Sequence, residues 1–72
     1  MGKKDRKKFA RMCSENSLMF VECYDHDCMC SVIGLRSYKT LALVRRSDFR
    51  NPDWPALENL VAECVLLEVF GE

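Results

Sequence analysis

The sequence has 72 residues and no net charge at pH 7; hydrophobic residues make up 49% of it and charged residues 31%. This length allows one domain, residues 1–72, with one core, and this composition is typical of a globular chain. No apolar run approaches the ~18 residues of a membrane span, and no apolar segment follows the basic N-terminus as an export signal requires. We therefore expect a cytoplasmic protein with no membrane contact.

The first predicted element is a helix over residues 3–15. Lys and Arg favour helix formation, and Phe9, Met12 and Cys13 have the i, i+3, i+4 spacing of an apolar stripe. We expect residues 1–5 to be frayed. The same helix carries a block of basic residues: Lys3, Lys4, Arg6, Lys7, Lys8 and Arg11.

Three short strand-like segments follow, at residues 18–24, 28–35 and 38–45. Short connections separate them, which predicts an antiparallel meander. Gly34, at the end of the second segment, indicates a bulge or a close approach of another part of the chain.

The third segment alternates along its length. We expect Leu41 and Leu43 on one face of the strand. The other face then takes Thr40, Ala42 and Val44. Because neither face is strongly polar, this strand is expected at the centre of the sheet.

The second predicted helix begins near Asp53, whose side chain can cap it; Asn51 is the alternative cap. Its apolar stripe consists of Leu57, Leu60, Val61 and Cys64. Residues 65–70 hold too many apolar residues for one helical face, so they either continue the helix or form a short C-terminal strand. We favour a helix that ends between residues 64 and 67. The predicted fold is α+β: a three-stranded antiparallel meander packed against an N-terminal and a C-terminal helix, in the order α-β-β-β-α.

Four side chains of the first hairpin are of the type that binds zinc: Cys23, His26, Cys28 and Cys30. Structural zinc sites usually take their ligands in pairs from two distant segments, whereas these four lie on one predicted hairpin. An odd total of five cysteines also argues against a complete disulfide framework. We therefore expect reduced, metal-free thiols packed as small apolar side chains and no cofactor, with a zinc-stabilised domain as the third interpretation.

The strongest catalytic candidate is a nucleophilic pair from this hairpin, Cys23 or Cys28 with His26. Catalytic partners are normally brought together from distant parts of a chain, and a single turn rarely gives them the required geometry. The sequence also lacks a glycine-rich phosphate loop and a spaced pair of carboxylates. We therefore expect no enzymatic activity.

Charge is segregated along the chain. Residues 1–12 and 36–50 have net charges of +5 and +4, while residues 13–35 and 51–72 have −4 and −5. Such blocks form complementary faces within a fold or patches that bind a partner. We expect a protein–protein interaction module that occludes a partner's surface through charged faces, with acidic blocks mimicking phosphates or basic blocks binding an acidic partner.

The residues expected to contact this partner are Arg36, Lys39, Arg45, Arg46, Arg50, Trp54, Glu63 and Glu68. Trp54 has a second interpretation, in which it closes the core over the sheet. In size and style the chain is similar to the small accessory proteins of phages and mobile elements, a class that includes anti-CRISPR inhibitors. That resemblance implies an inhibitor or adaptor whose partner belongs to a complex that handles nucleic acid.

Two other kinds of partner follow from particular segments. The basic helix is the alternative, since its lysines and arginines would suit a small nucleic-acid-binding or regulatory protein. The surplus of apolar residues near the C-terminus predicts a two-fold homodimer through Leu66, Val69 and Phe70. A tail that folds back as a fourth strand, or that binds a different protein, is the alternative to this dimer.

Overall fold

The computed structural model describes residues 3–22 and 29–71, and it has the predicted α+β fold in the order α-β-β-β-α. The elements are α1 (Lys3–Ser14), β1 (Leu18–Val21), β2 (Met29–Gly34), β3 (Thr40–Arg45), a 3-10 helix (Arg46–Phe49) and α2 (Trp54–Phe70). The strands pair antiparallel in the order β1-β2-β3. Because consecutive hairpins place the middle strand at the centre, β2 is central and the expectation of a central β3 is wrong.

A β-bulge changes which side chains of β3 share a face. The register shifts next to Ile33, so that Leu41 is the extra residue and packs on the core. Leu43, in contrast, is exposed on the other side of the sheet. Thr40 lies opposite Ile33 and is exposed as well. The faces predicted for Leu41 and Thr40 are therefore wrong, because strict alternation along a strand does not continue through a bulge.

Both helices pack on one face of the sheet, and the apolar stripes predicted for them are confirmed. The core cluster consists of Phe9, Cys13, Leu18, Val32, Val44, Phe49, Leu57, Val61 and Cys64. Phe9, Phe20 and Phe49 contact one another with ring centroids 5.0–5.6 Å apart, and so join α1, β1 and the 3-10 helix. Each such aromatic pair contributes about 0.5–1.5 kcal/mol beyond the area that it buries.

Helix α2 begins as predicted and ends later than predicted. Asp53 caps it, since its Oδ1 accepts a hydrogen bond of 3.3 Å from the backbone N–H of Ala56. The helix continues to Phe70, and among the described residues there is no fourth strand. Its last turns place Glu68 against the β2–β3 turn, and at the end of the helix the Gly71 N–H donates to the Leu67 carbonyl.

The Glu68 carboxylate connects α2 to the β2–β3 turn. Its Oε2 accepts hydrogen bonds from the backbone N–H groups of Arg36, at 2.7 Å, and Ser37, at 3.4 Å. Gly34 makes this close approach possible, because a Cβ at that position would overlap the carboxylate. Hydrogen bonds from the Ser37 side chain and the Arg36 backbone hold the pKa of Glu68 below its ordinary value.

We expect Gly34→Ala to lower Tm by a few degrees, because the added methyl group displaces the Glu68 carboxylate from the turn. In a Glu68→Ala background the same change removes no contact, and the lower entropy of the unfolded chain should leave Tm unchanged or raise it. Thermal unfolding of the single and double variants tests this change of sign. Glu58→Ala removes an exposed acid from the same helix and is the matched control for the Glu68→Ala background. If Gly34→Ala lowered Tm equally in the wild-type and Glu68→Ala backgrounds, the interpretation would be contradicted.

Candidate functional site

The face of the sheet opposite the helices is uncovered by any described element. We call it the open sheet face, and its residues are Met19, Val21, Met29, Ser31, Ile33, Thr40, Leu43 and Arg45. The register sets them in rows across the three strands, such as Val21–Ser31–Leu43. Arg45 is the single charged residue among them, and the described part of this face holds no acid.

Apolar side chains surround the half-buried Ser31 in the middle of the open sheet face, and we call this group the apolar centre. Met19 is 43% exposed, Val21 40% and Leu43 56%, and the half-buried Ile33 lies on β2 opposite Met19. A sheet with one solvated face usually alternates apolar and polar residues, so that the solvent side is polar. Contiguous exposed apolar surface marks an interaction site. This face is therefore the candidate site, and sequence reasoning missed its apolar centre.

The basic residues predicted to bind a partner lie in β3 and in the segments that directly precede and follow it. Arg45 is on the face itself, Lys39 directly precedes β3, and Arg36 lies in the β2–β3 turn. Arg46 and Arg50 follow β3, in and just after the 3-10 helix. All five side chains are exposed. The site thus combines an apolar centre with a basic border, in which Asp48 is the one acid and accepts a hydrogen bond from the Arg45 backbone N–H.

The other three residues predicted to bind a partner belong to α2 and lie away from the open sheet face. Trp54 is half-buried against the core, as expected if the indole closes the core. The Lys8 Nζ lies 4.1 Å from the centroid of the Trp54 ring. Glu68 holds the β2–β3 turn. Glu63 is exposed near the C-terminal end of the helix. The eight predicted residues therefore do not form one site.

A second exposed apolar surface lies at the C-terminal end of α2. We call it the α2 tip, and it consists of Glu63, Leu66, Leu67, Val69 and Phe70. Leu66 is 57% exposed, Val69 56% and Phe70 78%. A shallow depression of about 500 Å³ lies beside Phe70. Because α2 packs on the opposite side of the sheet, the α2 tip and the open sheet face point away from each other.

The basic residues of α1 are divided between solvent and the fold. Arg6 Nε lies 2.6 Å from Glu22 Oε1, an ion pair that joins α1 to the end of β1. The side chain of Lys3 lies outside the described part of the chain. Phe9 packs 5.4 Å from Phe49, which places α1 beside the basic 3-10 helix. The exposed basic residues of α1 are Lys4, Lys7, Lys8 and Arg11.

The predicted zinc cluster is seen only through Cys30, since Cys23, His26 and Cys28 lie outside the described residues. Cys30 is fully buried on the core face of β2, opposite Val44. Within residues 3–22 and 29–71, no group of three His, Cys, Asp or Glu side chains could hold a metal ion.

Cys13 and Cys64 are also free, buried thiols. Burial, with the neighbouring Cys64, raises the pKa of Cys13 to about 12. Burial, with the nearby Glu63, raises the pKa of Cys64 as well. Because the thiolate is the reactive form, these two groups are chemically inert in the folded chain.

No known protein family, curated protein or solved structure matches the chain. In the described ranges, no helix is long and apolar enough to cross a membrane.

We expect the buried thiols to react with a disulfide reagent only when the protein unfolds. In the double variant Cys23→Ser/Cys28→Ser the remaining cysteines are Cys13, Cys30 and Cys64. Labelling at pH 8 should be at least about a hundredfold slower in the native protein than in denaturant, because burial blocks access to all three thiols and raises the pKa of Cys13 and Cys64. Rapid labelling of the native variant would contradict the buried positions of these thiols.

Proposed function

We propose that the chain is a non-catalytic protein-binding module that uses the open sheet face to cover a surface of its partner. The supporting observation is the uncovered apolar centre of this face, around Leu43, together with its basic border. Methionine and arginine are enriched at protein interfaces, and both are present here. We further propose that the chain acts as an inhibitor or adaptor in the cytoplasm.

The chemistry of the face defines the partner. Complete burial of a leucine or methionine side chain contributes about 1.5–3 kcal/mol, so contact with Met19 and Leu43 would supply much of the affinity. Arg45 and Lys39 at the border favour a partner with acidic groups around an apolar patch. Since exposed charges act mainly on the association rate and on specificity, the apolar centre is expected to determine the affinity.

We expect Leu43→Asp to abolish partner binding, because a carboxylate would be buried in an apolar interface. Leu66→Asp is the matched control, since Leu66 and Leu43 are almost equally exposed, 57% and 56%, on opposite sides of the molecule. The measurement is affinity capture from the native host with wild-type and variant chains, whose folding is checked by circular dichroism. A protein retained by wild type and by Leu66→Asp, but lost by Leu43→Asp, is the expected result.

Arg45→Glu should weaken the same interaction less than Leu43→Asp does, and more at low salt than at high salt. If, apart from copies of this chain itself, Leu43→Asp and Leu66→Asp capture the same proteins as wild type, the open sheet face is not the binding site.

Nucleic-acid binding is the second candidate function, favoured by the position of basic α1 beside the basic 3-10 helix. Two observations count against it. The ring of Trp54 lies under Lys8 rather than free to stack on a base, and α2 carries exposed acids such as Glu58 and Glu63. Phosphate contacts alone would have to supply the affinity.

We expect only weak binding of random-sequence DNA or RNA at ~150 mM salt, conditions under which non-specific complexes have dissociation constants of about 10⁻⁴–10⁻⁶ M. Fluorescence anisotropy with labelled oligonucleotides measures this, with the triple variant Lys4→Glu/Lys7→Glu/Arg11→Glu as the test of α1. Tight binding that is lost in the triple variant and kept in Leu43→Asp would favour the second candidate over the first.

A further inference from the structure

We propose that the open sheet face accepts the α2 tip of a second copy, so that copies of this chain associate head to tail. This inference rests on the binding site proposed above and names one occupant for it. The two surfaces lie on one chain, and their shapes, a flat sheet face and an exposed helix end, are those of elements that commonly pack together.

The two surfaces are complementary in charge as well as in apolarity. The α2 tip presents Leu66, Val69 and Phe70 beside the exposed Glu63, and α2 has no basic residue. The negative end of its helix dipole lies at the same place. Arg45 is the one charged residue of the open sheet face as described, and its border is mainly basic, with Asp48 as the acid in it. Docking therefore sets apolar side chains against apolar side chains and negative groups against positive ones.

Two-fold dimers lack this complementarity. If the α2 tips packed together, the Glu63 carboxylate and the negative helix end of one copy would approach those of the other. If two open sheet faces packed together, Arg45 and its basic neighbours would approach their own copies. Because like charges across an interface oppose association, the head-to-tail contact is the more favourable of the three.

The geometry also indicates how the association extends. The two surfaces point in opposite directions across a molecule that is 15 Å thick in its smallest dimension. A pair of copies therefore leaves one surface of each unused, and association continues by addition of further copies. A face of three strands spans only ~10–15 Å, so each contact buries less than the ~800 Å² per partner of a standard interface. We expect weak, reversible association in the range of tens to hundreds of micromolar.

The test uses Leu43→Asp, which disables the open sheet face, and Leu66→Asp, which disables the α2 tip. Sedimentation equilibrium should show the mass of the wild-type chain rising above 8.4 kDa as its concentration increases. Each variant alone should remain monomeric, with an association constant at least about tenfold lower. An equimolar mixture should form a one-to-one complex and no larger species, because each variant retains one complementary surface. Met19→Asp with Val69→Asp is the second pair, should either first variant fail to fold.

Three outcomes would overturn the inference. Self-association that survives Leu43→Asp but not Leu66→Asp would show a two-fold dimer through the α2 tips. Self-association that survives Leu66→Asp but not Leu43→Asp would show a dimer through the sheet faces. A wild-type monomer at every concentration would exclude self-association, and if a different protein is still lost in Leu43→Asp, the proposed function stands without this inference.

Discussion

Both described helices cover the same face of the three-stranded sheet, and the rest of the structure follows from this arrangement. The described core lies entirely between α1, α2 and that face, with Phe9, Phe20 and Phe49 in mutual contact at one end. Stability in so short a chain must come from this single layer of contacts. The opposite face contributes nothing to the core, so its side chains are free to be chosen for contact with another molecule.

The charged residues of the segregated blocks have two different roles in the structure. Some charged groups are used inside the fold: Arg6 pairs with Glu22, and Glu68 accepts hydrogen bonds from the β2–β3 turn. Others, such as Arg45 and Lys39, remain exposed beside the open sheet face. A charged block in a sequence therefore does not indicate by itself whether its members stabilise the chain or meet a partner. Glu68 belongs to the charged groups used inside the fold. Its close approach to Gly34 shows this, whereas its charge alone does not.

The elements that sequence analysis predicted correctly are those whose signal is local. The spacing of apolar residues gives both helices, and Asp53 caps α2 through its own backbone neighbours. The bulge at Leu41 is a property of two paired strands, so it cannot be recognised from the sequence of one strand alone. The basic border of the site was predictable from charge. Its apolar centre was not predictable from the sequence. A strand that is apolar on both sides, such as β3, has the same sequence pattern whether its second side is covered by a core or by a partner.

That ambiguity explains why β3 was expected at the centre of the sheet. The edge position of β3 also supports the proposed binding role of the open sheet face. β3 is an edge strand, where exposed polar or charged side chains normally limit unwanted pairing. Arg45 and the bulge serve that purpose, yet Leu43 remains exposed in the middle of the strand. Apolar surface on two opposite sides, in a chain with no net charge to keep copies apart, supports the proposal that the chain associates with another molecule. On this proposal the chain functions as one component of a complex.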